Sequence, residues 1–323
     1  MKVLLHFDLS AGFISNAFEE KLGKTKIDSF ILGDNIQNFD LDKYDLIVLQ
    51  SESFFDKHFN KILNYKTSAI KIFIDMNDDF FIRRIYHNNN INLYFKRELY
   101  KDMSYLYKFE WSLRYIYGMY IITPTYRTYN IYGYINPLSF ACNYAIEGRF
   151  KKIKSLNLYS SLYKRNNKSK RDIDLSFMMN ITNISKRAEV YNFLKQSNVN
   201  NKIKLFMPQY IAKDIYFDKL SHSKASISIR GMGWDTFRYW EIPSNGAMLI
   251  SQQLPIVIQN NFVDNESALF FRTNEDLYKK IKRKIISSDE WQEIARNGND
   301  MVLKYHTPKR RAEYIINSVK EIQ

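Results

Sequence analysis

Residues 228–251 read SIRGMGWDTFRYWEIPSNGAMLIS, and this stretch indicates the fold of the second half of the chain. An apolar run at 225–230 leads into a turn with two glycines, and the turn opens a short helix beginning near Asp235. A second apolar run follows at 247–251. This order is typical of a parallel sheet, whose ligands bind at the carboxyl ends of its strands.

The glycine turn has the features of an anion site. Gly231 and Gly233 carry no Cβ, so their backbone N–H groups can approach an anion closely. The start of the helix, at Asp235 and Thr236, adds roughly half a positive charge from aligned peptide dipoles. Together these features suit a phosphate group.

Two arginines and a glutamate flank the turn. Arg230 ends the strand, and Arg238, about one turn into the helix, can present a guanidinium fork to a diphosphate. Glu241 lies one turn further and could accept both hydroxyls of a ribose. The pattern leaves an alternative open, because Gly-x-Gly is common in loops and Arg238 with Glu241 also fits an ordinary surface pair.

Both halves of the chain alternate short apolar strands with helical stretches, which predicts parallel sheets covered on both faces. The expected fold class is α/β, with two Rossmann-like domains facing across a cleft. Strands are predicted at 2–7, 27–32, 44–50, 69–74, 174–178, 202–207, 225–230, 247–251 and 268–271, and helices at 13–22, 54–63 and 185–196. The predicted domains are 1–150 and 151–305, and 306–323 form a C-terminal helix that can pack back on the first domain.

Three further helices are predicted at the end of the chain from their start signals. Thr273-x-x-Asp276 and Ser287-x-x-Glu290 both fit a capping box, in which side chains bind the first N–H groups of a helix. Thr307-Pro308 supplies an N-cap followed by proline at the first helical position.

Charge is distributed unevenly over the 323 residues. Residues 1–150 contain 18 basic and 17 acidic side chains, whereas 151–323 contain 30 and 17, so the second half carries a net charge of +13. The second half is therefore the part expected to meet an anion, such as a nucleotide diphosphate, an anionic lipid surface, a charged glycan or nucleic acid. Part of the excess lies in 149–171, which holds nine basic and no acidic residues and is read first as a solvated linker.

The single cysteine, Cys142, excludes an intrachain disulfide and a cysteine-based zinc site. The N-terminal apolar run is interrupted by Asp8, too early for a signal peptide, and no apolar run reaches the ~18 residues of a membrane span. We therefore expect a cytoplasmic protein, with peripheral contact at the inner face of the membrane left open.

The segment from Arg230 to Glu241, followed by an apolar strand, resembles the donor-site segment of GT-B glycosyltransferases, in particular bacterial group-1-type enzymes such as the spore-maturation type. Further matches are 261–271, Tyr305-His306-Thr307 with Arg311-Ala312, and 94–98 in the first half. The resemblance covers nearly the whole C-terminal half and is patchier before it.

This resemblance implies sugar transfer from a nucleotide-sugar donor without a metal or other cofactor. It implies that the glycine loop and the two arginines hold the diphosphate and that Glu241 binds the ribose, and it places Asn265 and Glu266 in a donor-contacting loop. Solvent exposure is the alternative for Glu266. His306 could contact phosphate or sugar, or bond a backbone carbonyl. Retaining members often carry a glutamate eight positions before the ribose-binding one, where this chain has Gly233, so the stereochemical course is not predicted.

A catalytic base is sought at the carboxyl ends of the N-terminal strands. Asp8 follows the first strand and could deprotonate an acceptor hydroxyl, or cap the turn that follows it. Asp75, Asp78 and Asp79 follow another strand end and are the next candidates. The pair Lys96 and Arg97 faces either the cleft or, by default, solvent.

The leading hypothesis is a glycosyltransferase of polysaccharide biosynthesis, acting on a glycan or glycoconjugate acceptor. A nucleic-acid-modifying glycosyltransferase is the first rival, since the basic half would favour DNA. A nucleotide- or polyanion-binding module without catalysis is the second rival.

Overall fold

The structure is a computed structural model that describes residues 1–7, 12–31, 40–50, 59–75, 90–97, 101, 153–155, 170–181, 185–197, 202–208, 210–231, 234 and 236–323. The chain forms two compact units. The N-terminal unit comprises Met1–Leu156, Pro255–Ile258 and Ala312–Gln323, and the C-terminal unit comprises Asn157–Leu254 and Gln259–Arg311.

The N-terminal unit is built on a six-stranded parallel sheet with the strand order β2-β1-β3-β4-β5-β6. The strands are Val3–Phe7 (β1), Ile27–Ile31 (β2), Leu46–Gln50 (β3), Ile70–Asp75 (β4), Leu93–Lys96 (β5) and Ile153–Ser155 (β6). All five residues of β3 are buried, as expected for a parallel strand covered on both faces. Helices Gly12–Leu22 (α1) and Phe59–Asn64 (α2) belong to this unit.

The C-terminal unit is built on a five-stranded parallel sheet with the order β11-β10-β9-β7-β8. Its strands are Ile173–Ser176 (β7), Leu205–Phe206 (β8), Ser223–Ser228 (β9), Met248–Gln252 (β10) and Leu269–Phe271 (β11). The helices are Ser185–Gln196 (α3), Lys213–Ser221 (α4), Phe237–Ser244 (α5), Asn274–Ile281 (α6) and Trp291–Tyr305 (α7), and α6 continues into a π-helical turn at Lys282–Ile286.

The last helix, Pro308–Lys320 (α8), begins in the C-terminal unit and continues in the N-terminal unit. Within the N-terminal unit, its Glu313 accepts a hydrogen bond from Lys21 of α1 at 2.6 Å, and the ring of Tyr314 meets that of Phe95 at 6.1 Å. These contacts attach the end of the chain to the first sheet and its helix.

A large core cluster of the C-terminal unit lies between one face of its sheet and the helices packed on that face. Buried residues of β7, β9, β10 and β11 pack against apolar side chains of α3, α6 and α7, among them Leu175, Ile227, Ile250, Phe271, Val190, Leu277 and Ile294. Helix α7 approaches the loop before β11 so closely that a Cβ on Gly298 would lie 2.5 Å from the carbonyl oxygen of Ser267. The packing of α7 therefore requires glycine at this position.

Candidate functional site

The turn between β9 and α5 lies at the carboxyl edge of the C-terminal sheet. Strand β9 ends at Ser228, and α5 begins at Phe237 after Thr236, whose backbone is extended. The hydroxyls of Ser228 and Thr236 are 3.1 Å apart and close the turn. The predicted order of strand, glycine turn and helix is confirmed; Gly231 is part of the described turn, whereas Gly233 and Asp235 lie outside the described residues.

Arg187 anchors the end of β9 and was missed by the sequence analysis. This buried residue of α3 donates from Nε to the carbonyl of Arg230 at 3.0 Å and from Nη2 to that of Ile229 at 3.2 Å. Its Nη1 donates to the carbonyl of Asn180, just after β7, also at 3.2 Å. One guanidinium therefore holds the segments that follow two neighbouring strands. The sequence around Arg187 does not indicate this role. The neighbouring Lys186 forms an ion pair with Glu189 on the same helix.

Arg230 and Arg238, both predicted from the sequence, lie beside Arg187. Arg238 donates from Nε to the carbonyl of Met178 at 2.7 Å, and the Arg230 guanidinium stacks over the Trp234 ring at 4.6 Å. Burial, together with the like charges of Arg238 and Arg230, lowers the pKa of Arg187 to about 10. The Arg187 guanidinium therefore remains protonated at neutral pH.

This group, which we call the arginine cluster (Arg187, Arg230 and Arg238), concentrates positive charge at the edge of the sheet. Within the part of the chain that the structure describes, none of the three forms a salt bridge with a carboxylate. Arg230 and Arg238 are half-buried, so solvent reaches both. Three like charges without a described counter-charge make this edge a favourable place for an anion.

Glu241 lies on the same helix as Arg238, one turn further from its start. Its side chain is buried, and Oε2 accepts a hydrogen bond from the Tyr216 hydroxyl at 2.6 Å. The Tyr216 ring lies under the Arg238 guanidinium, whose central carbon is 5.5 Å from the ring centroid. Tyr216 comes from α4 and was not predicted, because its two contacts are 22 and 25 residues away along the chain.

Asn265 and Glu266 lie elsewhere, so their predicted grouping with the donor-site residues is wrong. Both precede β11, which is parallel to β10, and so they lie toward the amino ends of the strands. Asn297 of α7 donates to the Glu266 carbonyl at 2.9 Å, and both side chains are exposed. The alternative of a solvated loop carboxylate for Glu266 agrees with this placement.

His306 occupies the interior of the C-terminal unit, with 0% of its side chain exposed. Its Nε2 lies 2.9 Å from the carbonyl oxygen of Asn260, and Nδ1 is in contact with Arg311. Burial, followed by the charge of Arg311, holds the pKa of His306 well below its usual value. The structure therefore gives His306 the second of its two expected roles, a bond to a backbone carbonyl, and does not bring it to the arginine cluster.

The carboxyl edge of the N-terminal sheet carries a buried group of opposite charges. Asp75 and Lys96 end the neighbouring strands β4 and β5, and their side chains, both fully buried, form an ion pair at 3.0 Å. The Tyr94 hydroxyl donates to the same carboxylate oxygen at 2.5 Å. The expectation that Lys96 and Arg97 are exposed is wrong, since both are buried. Asp8, Asp78 and Asp79 lie outside the described residues.

The described residues show neither a metal-binding cluster nor a membrane-spanning helix. These residues include no group of three or more His, Cys, Asp or Glu side chains arranged to hold a metal ion. Among the described helices, none combines the length and apolarity that crossing a membrane requires. The expected independence of metal and the expected cytoplasmic location stay predictions.

Comparison with known families identifies the C-terminal part of the chain. Residues 190–317, which include Arg230, Arg238, Tyr216 and Glu241, match the family model described as glycosyl transferase-like. Residues 190–317 are therefore similar to glycosyltransferases, and the chain has the GT-B fold. The resemblance to group-1-type enzymes is thereby confirmed, and no curated protein matches this sequence.

Solved structures support the GT-B fold of this chain. Anabaena Alr3699/HepE in complex with UDP and glucose has a TM-score of 0.56 at 9% identity, with 99% of this chain and 100% of that chain covered. An alpha-glucosyltransferase in complex with UDP and a 13-mer DNA containing an HMU base has a TM-score of 0.52 at 8% identity, with 99% of both chains covered. The chain spans only 55% of the Streptococcus pneumoniae accessory secretory protein structure and 54% of TarM, which it also matches.

Proposed function

We propose that the protein transfers a sugar from a nucleoside diphosphate sugar to a hydroxyl group of its acceptor, with the donor bound by the C-terminal unit. The observation that carries this proposal is the arginine cluster at the carboxyl edge of the C-terminal sheet. Its position next to a glycine turn and the start of α5 fits a diphosphate.

In the proposed mechanism the arginine cluster stabilises the leaving diphosphate. Arg230 and Arg238 are half-buried and can contact phosphate oxygens, whereas Arg187 contributes charge and fixes the turn through its three carbonyl contacts. The backbone N–H group of Gly231 and the start of α5, at Phe237 after Thr236, add further stabilisation. Gly233 and Asp235, outside the described residues, stay predicted members of the site. These fixed positive groups could take the place of a divalent cation as negative charge develops on the diphosphate.

The nucleoside half of the donor is assigned to Glu241. Its buried carboxylate lies one turn beyond Arg238 on α5, so the two side chains can contact neighbouring parts of one ligand. A buried carboxylate that accepts hydroxyl hydrogen bonds is well suited to a ribose. Both structural relatives described above are complexes with UDP, which makes uridine the first nucleoside to test.

Asp8 is the proposed general base. It follows β1, at the carboxyl edge of the N-terminal sheet, and a carboxylate needs only hydrogen-bond reach to remove a proton from an acceptor hydroxyl. Asp75 is a weaker candidate, because its carboxylate is fully buried and held by Lys96 and Tyr94.

A glycan or glycoconjugate is the proposed acceptor, and nucleic acid is the second candidate. The second candidate draws support from the net charge of +13 in residues 151–323 and from the DNA bound to one structural relative. DNA binding would weaken steeply as salt is raised, since the protein would release counterions from phosphates.

The test of the proposed function is a binding screen followed by an activity assay. Melting temperatures are measured with UDP, GDP, dTDP, ADP and CMP, each with and without EDTA, and the nucleotide that binds is then supplied as its sugar conjugate. Binding of one nucleotide to the folded state raises its stability by about 2.7 kcal/mol at a hundredfold excess over Kd. We expect one nucleoside diphosphate to stabilise the protein equally in both conditions; no stabilisation by any nucleotide would reject the donor site.

A further inference from the structure

Tyr216 touches both residues that are proposed to hold different parts of the donor. Its hydroxyl donates to Oε2 of Glu241 at 2.6 Å, and its ring lies under the guanidinium of Arg238 at 5.5 Å. The side chain is only 7% exposed, so its position is set by packing. Its hydroxyl and its ring therefore act on two different subsites.

The hydroxyl contact fixes the orientation of the Glu241 carboxylate. The last torsion of a glutamate is broad, so the plane of an isolated carboxylate is poorly defined. A hydrogen bond from a buried tyrosine to one oxygen removes this freedom, and hydrogen bonds to charged groups are stronger than those between neutral groups. The carboxylate is then presented in one orientation before any ligand arrives.

We propose that Tyr216 is a positioning residue that makes the site selective for nucleoside diphosphates with an intact ribose over their 2′-deoxy analogues. This inference rests on the proposed function of Glu241. Two neighbouring hydroxyls can donate to an oriented carboxylate together, which a ribose offers and a 2′-deoxyribose does not. A site built to bond a hydroxyl rejects the analogue that lacks it, because a buried acceptor loses its donor.

The ring contact has a separate consequence. A guanidinium over an aromatic face is attracted by the negative charge of that face, so the ring stabilises the position of Arg238. Tyr216→Phe removes the hydroxyl and keeps this contact, whereas Tyr216→Leu removes both. The two variants therefore separate the ribose subsite from the diphosphate subsite.

The experiment measures Kd by calorimetry for UDP, 2′-deoxy-UDP and pyrophosphate with the wild-type protein and three variants. The matched control is Tyr239→Phe, because Tyr239 is also buried and its hydroxyl also donates a 2.6 Å hydrogen bond, to Asn261, away from Arg238 and Glu241. If another nucleotide raises the melting temperature in the first screen, that nucleotide and its 2′-deoxy form replace the uridine pair.

We expect the wild type and Tyr239→Phe to prefer the ribonucleotide by about tenfold or more. Tyr216→Phe should lose most of this preference, with affinity for the ribonucleotide falling about tenfold and affinity for pyrophosphate unchanged. Tyr216→Leu should also bind pyrophosphate about threefold more weakly.

Two outcomes would overturn the inference while leaving the donor site intact. One is an equal Kd of the wild-type protein for UDP and 2′-deoxy-UDP. This measurement uses no variant, so it does not depend on how well Tyr216→Phe folds. The other is a folded Tyr216→Phe that keeps the wild-type preference. A wild type that binds no nucleoside diphosphate would instead reject the proposed function, and this inference with it.

Discussion

The carboxyl edges of the two sheets carry charge in opposite ways. In the N-terminal unit, Asp75 and Lys96 neutralise each other, and both are completely buried. In the C-terminal unit, Arg230 and Arg238 are half-buried and form no salt bridge with a described carboxylate. The first edge satisfies its charges internally, whereas the described positive charges of the second have no carboxylate partner, which agrees with the proposed diphosphate site. A buried charge is therefore a sign of a binding site only when its counter-charge is missing from the protein.

The largest expected effect is a loss of stability when the buried ion pair of Asp75 and Lys96 is broken. Asp75→Ala removes the carboxylate that both Lys96 and Tyr94 contact, and loss of one partner of a buried ion pair costs about 3–5 kcal/mol. Urea denaturation measures the loss. Lys43→Ala, which breaks an exposed pair with Asp40 in the same unit, should leave stability nearly unchanged. Equal stability of Asp75→Ala and wild type would show that the pair is not a structural element.

The second-largest expected effect is a loss of affinity for the proposed nucleotide-sugar donor. Arg238→Ala should weaken donor affinity by about 10- to 100-fold, since hydrogen bonds to charged groups contribute about 1.5–3 kcal/mol. The melting temperature without ligand should change little, because the like charges of the arginine cluster repel one another. Arg272→Ala, which removes an exposed arginine after β11, is the control. Calorimetry that finds the same Kd for Arg238→Ala as for wild type would remove Arg238 from the site.

The third effect separates the charge of Arg187 from its hydrogen bonds. Arg187→Lys keeps the charge but cannot reach the carbonyls of Asn180, Ile229 and Arg230 together. We expect the free energy of unfolding to fall by about 1–2 kcal/mol and donor affinity to fall about fivefold. Lys186→Ala, one residue earlier, should change neither. Donor affinity that stays unchanged when stability falls would limit Arg187 to a structural role.

The smallest expected effect is the pH dependence of stability that the buried His306 causes. Because its pKa is lowered in the folded protein, the unfolded chain binds the additional proton, and stability falls as pH drops below about 6.5. His306 lowers the free energy of unfolding by about 0.7 kcal/mol between pH 7 and pH 6. At lower pH its contribution approaches about 1.4 kcal/mol for each pH unit. Urea denaturation of wild type and His306→Gln at both pH values isolates this share. A wild type whose stability falls no more than that of the variant would contradict the assignment.

The strands and the turn between β9 and α5 could be predicted because their signals are local. The apolar run ending at Gln50 and the Ser185–Gln196 helix were found, and Thr273 caps α6 through the N–H of Asp276 as expected. The Ser287 capping box is wrong, because the π-helical turn extends the preceding helix to Ile286 and Ser287 ends that turn instead. Strands β5 and β6 were not predicted.

The contacts that complete the site could not be predicted, because they join distant parts of the chain. Arg187 binds the carbonyls of residues 42 and 43 positions away, and Tyr216 binds Glu241 25 positions away. No spacing rule connects such positions in one sequence. Arg230, Arg238 and Glu241 were found because they share one strand–turn–helix segment.

The burial of Arg187 has a consequence for ionic strength. Mobile ions screen the exposed parts of Arg230 and Arg238, with a Debye length of about 8 Å at physiological salt, but they screen a buried charge much less. Part of the attraction that this edge exerts on an anion should therefore persist in concentrated salt. Binding to the arginine cluster should lose affinity with added salt less steeply than binding to surface lysines would.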